Sequence, residues 1–312
     1  MKAAVIGAGA WGKNIVRTLD GIGALAAVAE LDPGLRGSLA ETYPSLTILG
    51  NVEALLETDI PAVCIAAPAP LHYKLAKAAL ESGKDVFVEK PMTLSVTDSL
   101  DLVHVARGRD RVLMVGHLLL YQPAIQWIRE TLCSGRIGVV KSIHQRRLGL
   151  GKAREVENVL WSLGVHDVAV ALYLTGSAPE SIQVTGQRVI QSGIEDDVHL
   201  HMTFPGGVCS HLHCSWLWPD RERGMTIVGS EGMLVYNELE QTITLHRKSI
   251  GADLKNVDNG SEVVYQGSGE PLKLELTHFL ECVDQRKTPI SDGESGVDVV
   301  RVLETASERF HL

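Results

Sequence analysis

The sequence lacks an excess of basic residues: 38 aspartates and glutamates outnumber 29 lysines and arginines, giving a net charge of −9. Nucleic-acid-binding proteins need a surface rich in Lys and Arg to neutralise phosphates, so we expect no nucleic-acid partner. No apolar run reaches the roughly 18 residues that suggest a membrane-spanning helix, so we expect no membrane insertion. The glycines and the Trp near the N-terminus predict a strand and turn there rather than an export signal.

Cysteine is also scarce. The five cysteines are odd in number and scattered, which is typical of reduced thiols and not of a disulfide framework. This pattern predicts a cytoplasmic protein. The chain is long enough, at 312 residues with 45% hydrophobic content, for about two domains with sizeable cores.

The first 120 residues alternate short apolar runs with amphipathic helical patterns, which predicts a parallel sheet covered by helices on both faces. Buried strands are expected in "KAAVIGAG", "ALAAVAELD", "DIPAVCIAAP", "KDVFVEKP" and "DRVLMVGH". Helices are expected in "GKNIVRTLD", "LHYKLAKAALESG" and "SVTDSLDLVHVARG". The predicted class is therefore α/β, with a doubly wound Rossmann sheet at the N-terminus.

A G-x-G-x-x-G pattern, formed by Gly7, Gly9 and Gly12 around Ala10 and Trp11, follows the first predicted strand and opens the first helix. This context supports dinucleotide binding, whereas the pattern alone is weak. The first glycine allows the tight turn, the second lets a pyrophosphate approach the backbone, and the third allows close helix–strand packing. The helix N-terminus then offers N–H groups to the phosphates.

Glu30 lies 18 residues after Gly12, at the end of the second predicted strand. Its carboxylate can accept a hydrogen bond from a ribose 2′-hydroxyl and would repel a 2′-phosphate, so NAD is favoured over NADP. Asp32 is the other candidate, but it precedes Pro33 and is expected to start the next turn.

Several motifs occur in order along the chain: "GAGAWG", "AAPAPLHYKLAKAALESGKDVFVEKP", "VGHLLLYQPA", "SGRIGVVKSI", "FPGGVCSHLHCSW", "GSEGMLVYN" and "EPLKLELTHFLECVDQRKTPISDGESGVDVVRVLETA". Together they resemble the glucose–fructose oxidoreductase and inositol dehydrogenase (Gfo/Idh/MocA) family over nearly the whole chain. The resemblance implies a Rossmann domain over residues 1–120. It implies, over residues 121–312, an α+β domain with a large, mostly antiparallel open sheet.

The resemblance also implies that Lys90, in the "EKP" triplet, lies beside the nicotinamide and near the reacting hydroxyl or carbonyl. A Lys at a strand's C-terminal end can donate hydrogen bonds to a developing alkoxide. The other cofactor contacts predicted from these motifs are Ala67, Pro68, His72 and Glu89. His72 and His117 either border the cofactor or are packing residues.

Family members commonly carry D-x-G-x-H on the helix that faces the nicotinamide, and here this segment reads Ser162-Leu163-Gly164-Val165-His166. The resemblance therefore implies that His166 is the catalytic base, a task that suits imidazole. Ser162, four residues earlier on the same α-helical face, replaces the usual carboxylate. Asp167 or a substrate group takes over its orienting role, or His166 and Lys90 act alone. Asp167 points about 100° away from His166, so we expect it to cap a helix or pair with a basic residue elsewhere.

The segment "RRLGLGKAREVENVLWSLGVHD" resembles the nucleotide-sugar branch of the family. Arg147 and Arg154 are predicted to bind a diphosphate, or else they form a solvated strand. Asn158 is predicted to reach a sugar hydroxyl or acetamido group from the His166 face. Tyr121 is a further predicted substrate contact, and it stands where many relatives have Phe.

Four histidines lie in "HLHMTFPGGVCSHLHC": His199, His201, His211 and His213. If Leu200 pairs with Leu212, all four fall on one face, where a zinc site is conceivable. A two-residue Gly-Gly turn would instead split them between faces. Relatives use this sheet for subunit contacts, so we expect an interface face and no metal.

The sequence thus predicts an NAD-dependent oxidoreductase of a nucleotide-linked sugar such as a UDP-N-acetylhexosamine. The resemblance suggests oxidation at C3 and a homodimer or homotetramer. Two alternatives are a free-sugar or inositol-type dehydrogenase and a non-catalytic NAD-binding sensor.

Overall fold

A computed structural model describes residues 1–151 and 153–310. Contacts divide the chain into two compact units. The first comprises Met1–Leu118 and Glu270–Arg301, and the second comprises Leu119–Gly269 and Val302–Leu312. The chain first passes to the second unit after Leu118, two residues before the predicted division, and Glu270–Arg301 belongs to the first unit. No helix among the described residues is long and apolar enough to cross a membrane.

The first unit is built on a six-stranded sheet in the order β3-β2-β1-β4-β5-β6, and every pairing in it is parallel. Its strands are β1 (Ala3–Ile6), β2 (Leu25–Ala29), β3 (Thr47–Leu49), β4 (Ala62–Ile65), β5 (Asp85–Glu89) and β6 (Leu113–Gly116). The connecting helices are α1 (Gly12–Gly21), α2 (Pro33–Thr42), α3 (Val52–Leu56), α4 (His72–Glu81) and α5 (Val96–Gly108). This is the predicted Rossmann arrangement.

Burial explains why these apolar runs form strands. Every residue of β1, β4 and β5 is buried, as expected for a parallel sheet covered on both faces. Helices α2 and α5 begin at polar caps: the Asp32 side chain accepts from the Leu35 N–H at 2.9 Å, and the Ser95 side chain accepts from the Asp98 N–H at 3.1 Å. Asp32 therefore caps α2, whereas the sequence predicted that it starts a turn.

The second unit contains an eight-stranded sheet in the order β14-β13-β12-β11-β7-β10-β9-β8. Its strands are β7 (Val140–Leu150), β8 (Ser181–Gln187), β9 (Asp197–Phe204), β10 (Val208–Ser215), β11 (Leu217–Gly229), β12 (Met233–Asn237), β13 (Thr242–Ile250) and β14 (Asn256–Gln266). Within this sheet, as far as the structure describes it, the β7–β10 pairing is parallel and the other pairings are antiparallel. The predicted large and mostly antiparallel sheet is confirmed.

Residues in β9 alternate between the core and the outer face. Val198, Leu200, Met202 and Phe204 are buried, as expected for a sheet with one covered face. Leu200 pairs with Leu212, and the chain turns through Pro205–Gly207 before β10 begins. All four histidines of this hairpin therefore lie on the outer face.

The segment that begins at Asn158 and contains Ser162 and His166 is not a continuous α-helix. A π-helical turn spans Leu160–Gly164, and α7 (Val165–Thr175) follows directly. The helix α6 (Pro123–Cys133) packs against α7. A π-helical turn closes on i→i+5 hydrogen bonds, so it changes the α-helical spacing that relates Ser162 to His166.

Two C-terminal helices complete the structure, α8 (Pro271–Gln285) and α9 (Gly293–Arg309). Within the first unit, α8 packs against α1, and the ring of Phe279 lies 5.9 Å from that of Phe87 on β5. Arg286, at the end of α8, donates to both carboxylate oxygens of the buried Asp85 at 2.9 and 3.0 Å. These contacts explain why a C-terminal segment belongs to the N-terminal unit.

Candidate active site

The loop between β1 and α1 has the geometry of a phosphate-binding turn. Gly7 has φ +89°, and a Cβ on Gly12 would lie only 2.1 Å from the Gly7 carbonyl oxygen, so both positions require glycine. A Cβ on Gly9 would meet no atom within 4 Å, which leaves the backbone there open to a ligand. The loop therefore fits a dinucleotide pyrophosphate.

Glu30 follows β2 directly and is 9% exposed. Its Oε2 accepts from the Ala8 N–H at 2.7 Å, and its Oε1 accepts from the Asp32 N–H at 2.9 Å. These bonds hold the carboxylate beside the glycine loop. Each oxygen keeps a second lone pair, so a ribose hydroxyl can still donate to it.

His72 joins two of the predicted cofactor segments. Its Nε2 lies 2.8 Å from the Ala67 carbonyl oxygen, and its Nδ1 lies 2.7 Å from that of Pro91. The ring is 1% exposed. The ring therefore lies between the loop after β4, which contains Ala67 and Pro68, and the end of the "EKP" triplet, and a neutral ring donates to one of these two carbonyl groups.

Glu89 is the buried member of the "EKP" triplet. The indole Nε1 of Trp11 donates to its Oε1 at 2.5 Å, which connects the glycine loop to the end of β5. Burial raises the pKa of Glu89 to about 7, against the opposing effects of the Lys90 charge and the Trp11 hydrogen bond. His117, at the end of β6, lies close enough to Lys90 for their charges to interact. Burial first and the Lys90 charge second lower the pKa of His117 to about 3, so this ring is neutral at ordinary pH.

We expect the buried Glu89 carboxyl to make stability depend on pH. Its pKa is raised from 4.5 to about 7 on folding, so between these values the folded chain keeps a proton that the unfolded chain has lost. Stability therefore falls as pH rises through this window, by about 3 kcal/mol in total. Glu89→Gln should remove that part of the slope in urea unfolding of the cofactor-free protein.

The effect of Trp11 gives a second test of the same carboxyl. Trp11→Phe removes the donor that lowers the Glu89 pKa, so the window should extend to higher pH. Unfolding curves of Glu89→Gln that keep the wild-type pH slope would contradict this account.

In the second unit, His166 lies near the start of α7 and is half-buried, whereas most of its neighbours on the helix are buried. Ser162, in the π-helical turn, is 6% exposed, and its hydroxyl donates to the Val159 carbonyl at 3.4 Å. Ser162 is therefore more deeply buried than His166. Tyr121 is buried at the end of a short 3-10 turn.

Arg147, predicted to bind a diphosphate, lies in a buried ion-pair network. Its Nε and Nη2 donate to Asp167 at 2.5 and 3.2 Å, and its Nη1 and Nη2 donate to Glu238 at 3.3 and 2.7 Å. Four of the five guanidinium N–H groups are thereby used. Asp167 pairs with a basic residue from another element, which confirms one of the two roles expected for it.

Asn158 and Arg154 also make contacts within the chain. The Asn158 Oδ1 accepts from the Trp161 N–H at 3.1 Å, and its Nδ2 donates to Glu195 at 2.9 Å. Asn158 thus caps the helical segment from its N-terminal side. Arg154 has an exposed side chain, and its carbonyl accepts from Gln191 at 2.5 Å.

Comparison with known proteins agrees with this geometry. A model described as the oxidoreductase family, NAD-binding Rossmann fold, matches residues 1–117, and the GFO/IDH/MocA C-terminal domain matches residues 125–235. The chain belongs to the Gfo/Idh/MocA family. The predictions of an NAD cofactor and of an oxidoreductase acting on a CH–OH group are confirmed by these matches and by the relatives below.

Three relatives illustrate the range within the family. UDP-N-acetylglucosamine 3-dehydrogenase from Acidithiobacillus ferrooxidans is 26% identical over 95% of this chain and 93% of its own, and its crystal structure has a TM-score of 0.88. The scyllo-inositol 2-dehydrogenase (NAD⁺) of Bacillus subtilis is 27% identical over 93% of this chain and 88% of its own. A solved structure from Magnetospirillum magnetotacticum is 30% identical, covers 98% of this chain and 99% of that one, and has a TM-score of 0.85.

Glu275 on α8 of this Gfo/Idh/MocA enzyme was not predicted from the sequence. It is fully buried, and neither carboxylate oxygen has a hydrogen-bond partner among the described residues. Burial, and then the charge of Glu89, raise the pKa of Glu275. The sequence pattern could have indicated it, because Glu275 is an acidic residue at a core position of an amphipathic helix. The buried residues of that helix include Leu276 and Phe279.

Proposed function

We propose that this oxidoreductase removes hydrogen from a secondary hydroxyl of a nucleotide-linked sugar, a UDP-N-acetylhexosamine, at C3. The observation that carries the proposal is the similarity to UDP-N-acetylglucosamine 3-dehydrogenase, which extends over 95% of this chain. The similar identity to an inositol dehydrogenase keeps a free-sugar or cyclitol substrate as the second candidate.

The residues at the ends of β1, β2, β4 and β5 would hold NAD. Gly7, Gly9 and Gly12 shape the turn for the pyrophosphate, and Ala10 and Trp11 place the N-terminus of α1 toward it. Glu30 would accept from the ribose. NAD, when bound, supplies the acceptor for the hydrogen that leaves the sugar carbon as hydride.

We assign the proton transfer to His166. A neutral imidazole accepts the hydroxyl proton, and the Lys90 ammonium donates a hydrogen bond to the oxygen as it becomes an alkoxide. The carboxylate at 162 is absent, and Asp167 is engaged by Arg147. The proposed chemistry therefore rests on His166 and Lys90, with any orienting group supplied by the substrate.

Among the arginines ahead of this helix, Arg154 is our candidate for the diphosphate. It is exposed, whereas the donors of Arg147 are directed at two carboxylates. The Asn158 amide has two N–H donors, and one of them binds Glu195. The other is our candidate donor to a sugar oxygen. Tyr121 and Ser162 are buried, so we expect them to shape the site rather than to bind the sugar through exposed groups.

The decisive experiment is a substrate panel followed through nicotinamide absorbance. UDP-N-acetylglucosamine, UDP-N-acetylgalactosamine and TDP-sugars would be compared with free glucose and inositol. We expect reduction of NAD with a UDP-N-acetylhexosamine. Turnover of inositol or glucose with none on UDP-sugars would establish the second candidate. Saturable NAD binding without turnover of any sugar would instead support a sensor, the alternative motivated by Ser162.

We further propose that the enzyme works in the cytoplasm as a homodimer or homotetramer. All five cysteines are free, which is consistent with a reducing compartment. Sedimentation of the purified enzyme would measure the subunit number directly, and a monomer at micromolar concentration would contradict the proposal.

A further inference from the structure

The outer face of the large sheet carries a compact group of metal-ligating side chains apart from the candidate active-site residues. His199 on β9 pairs directly with His213 on β10, and Asp197 lies two residues before His199 on the same face. One ligand atom from each of the three lies within 4.8 Å of the others. Backbone pairing on two adjacent strands therefore holds the group together.

The distances suit a small divalent ion. The Nε2 of His213 lies 3.1 Å from each carboxylate oxygen of Asp197, and the Nε2 of His199 lies 3.9 Å from Oδ1. A tetrahedral ion with bonds of about 2.0–2.1 Å separates its ligand atoms by roughly 3.3 Å. The two observed separations bracket this value, so the Asp197 carboxylate is at a suitable distance to share an ion with each imidazole.

The two imidazoles are close but stacked, so one ring must turn out of the stack before both Nε2 lone pairs can point at one ion. His199 and His213 stack with centroids 3.9 Å apart and planes 15° apart, and both Nε2 atoms lie near the same carboxylate. The edge of Trp218 supports the His213 ring at 5.5 Å. Arg146 on β7 pairs in register with His213. The Glu222 carboxylate lies 3.4 Å from the Arg146 guanidinium and offsets the positive charge of Arg146.

We propose that Asp197, His199 and His213 bind one divalent transition ion of the Zn²⁺ class. Two imidazoles and one carboxylate favour Zn²⁺ over Mg²⁺ or Ca²⁺, which prefer oxygen ligands. A carboxylate only accepts hydrogen bonds, so Nε2 of His213 carries the proton in the metal-free chain. When the ion binds, the proton moves from Nε2 to Nδ1. The ring stays neutral, and its Nε2 lone pair binds the ion. A fourth position remains for water.

The test uses the full-length protein after treatment with a chelator. Zn²⁺ binding would be measured by titration calorimetry, and Co²⁺ binding by the visible absorption of a tetrahedral site. We expect saturation at one ion per chain. His213→Ala, His199→Ala and Asp197→Asn should each weaken Zn²⁺ binding by more than about tenfold, since even second-shell changes cost about 10–100-fold.

The neighbouring pair His201 and His211 supplies the matched control. These residues lie on the same strands and the same face, with their Nδ1 atoms 2.7 Å apart, but outside the Asp197 cluster. His201→Ala and His211→Ala should leave Zn²⁺ affinity unchanged. Absence of saturable Zn²⁺ binding would overturn the proposal. Equal losses of affinity in the variants of the Asp197 cluster and in those of His201 and His211 would also overturn it, because they would show nonspecific chelation across the face. His199, with a side chain that is 49% exposed, gives a variant that should fold normally.

Discussion

Lys90→Ala and His166→Asn should each lower kcat on the preferred sugar by about 10²–10⁴-fold, the range for losing a proton-transfer group or an oxyanion donor. Neither residue is needed for the glycine loop, so NAD affinity should change much less than kcat. Stopped-flow absorbance at saturating sugar and NAD would measure the rate, and titration calorimetry would measure NAD binding.

Two exposed residues provide controls of the same type. Lys74 on α4 and His104 on α5 are exposed, so Lys74→Ala and His104→Asn should retain wild-type turnover. Undiminished turnover in both Lys90→Ala and His166→Asn would remove the proposed mechanism. A loss in Lys90→Ala alone would leave proton transfer to some other group.

The first unit could be predicted from the sequence because local signals agree with tertiary contacts. Continuous apolar runs became the buried strands β1, β4 and β5, and the glycine pattern occurs between β1 and α1, where the fold requires it. The return of α8 to this unit could not be predicted from its amphipathic pattern, since such a pattern shows which face is buried but not against what.

The site in the second unit was less predictable. The spacing of Ser162 and His166 implies a shared face only on an α-helix, and the π-helical turn from Leu160 to Gly164 changes this relation. The role of Arg147 depends on Glu238, 91 residues away, which the sequence did not connect with it. Long-range pairings of this kind arise from sheet register, and a single sequence carries little information about them.

Arg147→Met should destabilise the enzyme by about 3–5 kcal/mol at neutral pH, because it leaves two buried carboxylates without their cation. The side chains of Arg147 and Asp167 are 8% and 6% exposed, and that of Glu238 is 15% exposed. Urea unfolding followed by tryptophan fluorescence would measure the loss. Because the unpaired carboxylates would then bind protons more tightly in the folded state than in the unfolded state, the defect should shrink as the pH is lowered.

The adjacent Arg146 separates the ion-pair effect from a general effect of removing an arginine from β7. Its side chain is 66% exposed and lies 3.4 Å from Glu222, so Arg146→Met should cost no more than about 1 kcal/mol. Adding Asp167→Asn and Glu238→Gln to Arg147→Met should restore much of the lost stability, since no buried charge then remains unpaired. If Arg147→Met unfolds at the wild-type urea concentration but weakens UDP-sugar binding, Arg147 binds substrate rather than supporting α7 through Asp167.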